Sequence, residues 1–212
     1  AHRFAGLEGA LDRAAELASF LTDRFVTDGP VAHSLLGDAL QEQEFLGDVG
    51  AVLLFLTMLA EEGDAYGASY DAPFRTARAH LKSRLAALER DGVWMESLAG
   101  DFPAVPAEPF DQPIPSGIAL AEYALLLDRM RGHLDYGPLG FADAHGQAFA
   151  NVAALASRGY LYVGESPEPL PWADLPVHAV QVRGDARTSC YRGVCYLGPP
   201  PAEARAPEKR NA

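Results

Sequence analysis

From Phe4 to Phe25 the apolar residues fall at Leu7, Leu11, Ala14, Ala18, Leu21 and Phe25, in steps that alternate four and three. That spacing puts them on one stripe of a helix. Arg3, Glu8, Asp12, Arg13, Glu16 and Asp23 lie off the stripe, and Thr27-Asp28-Gly29-Pro30 ends the segment with turn residues. Gly37-Asp38 marks a second turn. A second helix is predicted from about Gln41 to Ala60. Phe45, Val49, Val52, Leu56 and Leu59 share one face, while Leu46, Leu53, Phe55 and Met58 occupy others. With no polar stripe over its second half, it is expected in the interior, and Glu61-Glu62-Gly63-Asp64 is expected to stop it.

A third helix, about Ala72 to Arg90, is amphipathic again. Phe74, Ala77, Leu81, Leu85 and Leu88 are expected inside, and Arg75, Arg78, Lys82, Arg84 and Glu89 outside. Asp91-Gly92-Val93-Trp94-Met95 reads as a short strand. Asp101 to Pro115 contains five prolines and reads as a long irregular connection. Ser116 then stands where an N-cap belongs, its hydroxyl placed to accept a free first-turn amide. The helix from Ser116 to about Arg131 is apolar almost all round. A fifth, about Ala142 to Ser157, is weakly amphipathic.

After that the period becomes extended. Gly159–Glu165 and Val177–Arg183 read as strands, separated by a loop, Ser166 to Pro176, with four prolines. The tail from Gly198 to Ala212 is rich in Pro, Ala and charge and is expected to be disordered. The chain thus divides into a helical segment over 1–157, a strand segment over 158–197 and a tail over 198–212.

Amphipathic and all-apolar helices alternate. A plain bundle makes every helix amphipathic. An outer–inner alternation is how helical hairpins stack in an α/α toroid, whose inner helices touch neighbours on both sides. The predicted fold is mainly α: half of an α/α toroid with a small C-terminal β element. A closed ring of six hairpins needs roughly twice the helices read here. A half-ring leaves inner flanks open, a larger apolar patch than a monomer tolerates. The expected partner is therefore another polypeptide or a second copy, unless the chain is the C-terminal piece of a longer protein.

Composition narrows the partners. The chain has 212 residues, 49% of them hydrophobic and 22% charged, which suits one domain with a sizeable core. Seventeen basic against twenty-nine acidic residues give a net charge of −12. Such a chain repels nucleic acid and anionic membrane surfaces, so neither is an expected partner. The longest apolar run, Val49 to Ala60, is well short of the ~20 residues that span a bilayer.

The reactive residues are few. Cys190 and Cys195 are the only cysteines, and their spacing is not the Cys-x-x-Cys of a redox-active site. A disulfide between them would close a short loop; reduced, they would pack as thiols. An exported chain, periplasmic or extracellular, favours the bond, and a reducing cytosol favours thiols. The histidines at 2, 33, 80, 133, 145 and 178 have no ligand spacing, and no metal or cofactor is expected. Ser116 follows Pro115, outside any Gly-x-Ser-x-Gly elbow, which argues against a serine hydrolase. Tyr123 and Trp94 are candidates to stack on a sugar ring, or core residues.

Three motifs stand in order along the chain. Asp28-Gly29 is followed by Phe45-Leu46-Gly47-Asp48-Val49-Gly50, then Asp111-Gln112-Pro113-Ile114-Pro115-Ser116-Gly117, then Cys190-x4-Cys195 with prolines after it. Together they resemble the C-terminal half of the spermatogenesis-associated thioredoxin-like family and its bacterial relatives. These proteins join a thioredoxin-like domain to an (α/α)6 barrel. The family has Phe-Leu-Asp-Asp-Tyr-Ala at the first motif, so Asp48 matches its second Asp, and Gly47, Val49 and Gly50 replace the other three. It has Asp-x-x-x-Pro-Ser-Gly-Asn at the second, where Ile118 replaces the Asn. The resemblance spans about Ala10 to Pro201 and lacks the family's thioredoxin-like domain and first half-barrel.

The resemblance implies inner helices that begin at one face, bringing Asp48 and Asp111 towards a central funnel. There two carboxylates would act as acid and base on a carbohydrate, as in an epimerase or glycosidase. The structural alternative has Asp48 capping its helix and Asp111 holding the proline turn through backbone amides. The favoured expectation is a non-catalytic subunit or fragment that packs its open edge on another protein. The alternatives are the carbohydrate enzyme and a thiol–disulfide redox partner acting through Cys190 and Cys195.

Overall fold

The computed structural model describes residues 7–41, 43–66, 71–98, 104–131, 160–164, 179–183, 188–191 and 194–197. The helix expected at 142–157, the 166–176 loop and the 198–212 tail lie outside them. The fold is mainly α, with four helices among the described residues. None of these is long and apolar enough to cross a membrane.

Helix α1 (Ala10–Arg24) follows Gly9, whose φ of 72° only glycine adopts at little cost. Ala18 is buried, and Leu11 and Ala14 pack beside it on the core. Leu7, expected on the same stripe, precedes the helix and is exposed. The Gly37-Asp38 turn joins β1 (Ser34–Leu36) to β2 (Ala39–Gln41), with Leu36 opposite Ala39. Gly37 has φ 63° and Asp38 does not share it, the pattern of a type II′ hairpin turn.

Helix α2 (Leu46–Tyr66) starts later and ends later than the sequence predicts. Residues 39–41 are taken by β2. At the other end Glu61 is buried rather than solvated, and a lone Gly63 weakens a helix without stopping it. Leu46, Val49, Leu53, Leu56 and Leu59 are buried along α2, whereas Met58 is 38% exposed.

Helix α3 (Asp71–Leu88) buries Phe74, Leu81, Leu85 and Leu88, as its period predicts. Arg78, expected outside, is buried instead, with Nη1 3.6 Å from Asp128 Oδ1. After α3, β3 (Glu89–Arg90) pairs with β4 (Val93–Trp94). Asp91 and Gly92 have φ 53° and 77°, the Asp-Gly type I′ turn, so they form the bend rather than part of the strand. The proline-rich connection is not wholly irregular. The Glu96 amide donates to Val105 O and the Ala107 amide to Trp94 O, both at 2.8 Å, which lays this segment beside β4.

Helix α4 (Gly117–Arg131) opens directly after Ser116. The Ala119 amide donates to Ser116 Oγ at 3.2 Å, the cap expected from sequence. No residue from Ser116 to Arg129 is exposed.

Helices α2 and α4 run in the same direction with their N-termini together. A Cβ added to Gly117 would lie 3.0 Å from Gly47 N, and one added to Gly50 would lie 2.8 Å from Ala121 N. Two glycines on α2 and the small residues opposite let the backbones touch. Helix α3 runs the other way. Its late residue Arg84 meets Glu44, just ahead of α2, while Arg78, nearer its middle, lies 3.6 Å from Asp128, late in α4.

The C-terminal strands are β5 (Tyr160–Gly164), β6 (Ala179–Arg183), β7 (Thr188–Tyr191) and β8 (Val194–Leu197), in the order β6-β5-β7-β8. β5 pairs parallel with β6 and antiparallel with β7, and β8 forms one edge. Strand β6 lies beside α2 and α4. Both predicted strands fall where the sequence puts them.

Candidate functional site

The common starting end of α2 and α4 gathers several charged groups held by specific contacts. Glu44, two residues before α2, is 3% exposed. Arg84 grips its carboxylate with Nε at 3.0 and 3.2 Å and Nη2 at 2.8 Å, and the Val31 amide donates to it at 2.7 Å. This two-pronged pairing satisfies a charge that burial would otherwise make costly.

Asp48 sits in the first turn of α2. Its Oδ2 lies 2.7 Å from His33 Nδ1, and the His33 ring meets Phe45 edge-on at 4.8 Å between centroids. The cap reading for Asp48 therefore gives way to a tertiary contact, which ties the segment before β1 to the start of α2. Burial raises the Asp48 carboxyl above the ordinary range; the His33 contact works against that shift, and the charge of Glu44 adds to it.

Glu96 completes the group. Its carbonyl accepts the Leu46 amide at 2.9 Å, which fixes it at the mouth of α2. Burial raises its carboxyl, and repulsion from Asp48 raises it further. His33 and Asp48 keep about half and a third of their side-chain surface in solvent, so the group faces outward. Two carboxyls raised by burial, one of them against an imidazole, are an arrangement suited to proton transfer.

Asp111 has a different post. Its Oδ1 accepts the Ser116 amide at 2.8 Å, closing the proline turn as the structural alternative predicts. Pro115 and Gly117 flank that cap, and Gly117 meets Gly47. Trp94 Nε1 donates to Glu122 Oε1 at 2.9 Å, and both Trp94 and Tyr123 pack against the core. Cys190 and Cys195 lie in the sheet, directly opposite one another in the β7–β8 register.

Asp48 is the one candidate from the sequence in the group at the mouth of α2; His33, Glu44 and Glu96 carry no local signal. His33 reaches Asp48 from fifteen residues away through the β1–β2 hairpin, and Glu96 arrives through the Asp91-Gly92 turn. Among the described residues, no three His, Cys, Asp or Glu side chains are placed to hold a metal ion. No protein-family model matches the chain, and no curated protein matches it.

Proposed function

We propose that this chain is a section of an α/α toroid that works by packing on another polypeptide or a second copy. The observation that carries this reading is the pairing of α2 with α4. Two apolar helices run parallel in backbone contact, with the antiparallel α3 packed on α2 and tied to α4 through the Arg78 and Lys82 contacts to Asp128. Inner helices of a ring of hairpins stand in that relation, whereas the alternate, parallel helices of an up-down four-helix bundle sit diagonally across its core, out of backbone contact. Length points to an open ring. One step from α2 to α4 uses about seventy residues, and six such steps would take about twice the 212 present. The remaining arc needs helices from elsewhere. Size-exclusion chromatography with light scattering tests this: the purified chain is expected above monomer mass. A well-behaved, heat-stable monomer overturns it.

A second reading, acid–base chemistry on a carbohydrate, is favoured by the group at the mouth of α2. It pairs Asp48 with Glu96 rather than with Asp111, whose carboxylate is taken by the Ser116 amide. In it Glu96, whose carboxyl burial raises, gives a proton to a leaving oxygen, and Asp48, oriented by His33, takes one up. A glycan array followed by turnover assays on Asp48→Asn and Glu96→Gln tests it. Turnover lost in both variants supports it; a wild-type chain that neither binds nor converts any glycan ends it.

A further inference from the structure

Strands β7 and β8 are joined by only two residues, Arg192 and Gly193, with Tyr191 opposite Val194 and Cys190 opposite Cys195. A two-residue hairpin loop closes with an i to i+3 hydrogen bond, which makes the pair flanking the loop the hydrogen-bonded one. Pairs alternate along an antiparallel ladder, so Cys190 and Cys195 occupy the next, non-hydrogen-bonded position. There the Cα atoms approach to about 4.5 Å, inside the range of about 4.4–6.8 Å that a disulfide bridges. No other cysteine exists in the chain to compete.

We propose that Cys190 and Cys195 form a reversible cross-strand disulfide that staples the edge strand β8 to the sheet. Their register makes them partners without any backbone movement. The loop they close is short, so the bond adds little chain-entropy stabilisation and the disulfide remains within reach of cellular reductants. The oxidant is a low-molecular-weight disulfide of the glutathione type. One cysteine thiolate attacks a sulfur of that disulfide and expels one small thiol, leaving a mixed disulfide. The second thiolate then attacks the protein sulfur of the mixed disulfide and releases the second small thiol. Two protein thiols become one disulfide while one small disulfide becomes two thiols, so the electrons balance.

Strand β8 pairs only with β7, so the staple acts on the one strand of this edge with a single neighbour. Regulation follows from that position: oxidation fixes the edge and reduction frees it.

The full chain is equilibrated against mixtures of reduced and oxidised glutathione, then trapped by thiol alkylation and weighed by mass spectrometry. The expected result is a single transition from two alkylated cysteines to none, in monomeric polypeptide. Cys190→Ser is expected to stop at the mixed disulfide with glutathione on Cys195. In the oxidised wild type, amide exchange in residues 194–197 is expected to slow at least several-fold against the reduced form. Two alkylated cysteines across the whole range, oxidation only into disulfide-linked dimers, or unchanged exchange in β8 each overturn the proposal. None of these outcomes bears on whether the chain packs on a partner.

Discussion

Glu96 and Asp48 are acids that the fold prefers uncharged. Burial comes first in each case, and for Glu96 the neighbouring Asp48 adds repulsion. A carboxyl with a raised folded pKa contributes most stability below its unfolded value, about 4.3 for Glu, and loses that contribution as pH rises through the folded value. Glu96→Gln fixes the neutral form. The stability of the variant minus that of the wild type is therefore expected near zero below about pH 4 and positive at pH 7. Urea unfolding at a series of pH values checks this, and a difference that falls with pH sinks it. Nothing local to Glu96 announces this behaviour. Asp48 is a candidate through the resemblance of Phe45-Leu46-Gly47-Asp48 to a known motif; His33 and Glu96 gain their meaning only when two hairpin turns and one backbone hydrogen bond bring them alongside.

At the level of the element, the two glycines in the first turns of α2 have a physical reason. Gly47 and Gly50 both face the first turns of α4. In an exposed helix interior, Gly→Ala gains up to about 1 kcal/mol of propensity. At Gly50 the added carbon would sit 2.8 Å from Ala121 N and 3.1 Å from Leu120 C, backbone atoms that cannot swing aside. Overpacking of this kind costs about 1–3 kcal/mol, so Gly50→Ala is expected to destabilise. A lower urea midpoint checks the sign. Periodicity found all four described helices, because each holds an apolar stripe or run. It misjudged the ends of α2, where the strand pairing of residues 39–41 and the burial of Glu61 override local preference. The Asp-Gly turn at 91–92 was readable but was assigned to a strand, because the apolar Val93-Trp94-Met95 run follows it without a break.

Across the whole molecule one buried carboxylate joins three separate stretches. Glu44 binds the amide of Val31, the side chain of Arg84 on α3 and, through its own place in the chain, the start of α2. Removing one partner of a buried ion pair strands the other, at a cost of about 3–5 kcal/mol. Glu44→Ala is expected to lower unfolding stability by that order, and Arg84→Ala combined with it is expected to add little. Calorimetric midpoints of the two single variants and the double variant measure the coupling. The outward-facing remainder of the molecule includes Leu17 and Phe20 on α1 and Phe110 and Ile114 around the Asp111 turn.

The bare meeting of Gly47 and Gly50 with Gly117 and Ala121 has a mechanical consequence. A junction lined by side chains yields, because rotamers can change and refill the gap. A junction made largely of main chain has little such slack, and sliding by one residue would bring a Cβ against a backbone atom. The first turns of the two helices are therefore expected to shift together rather than past one another.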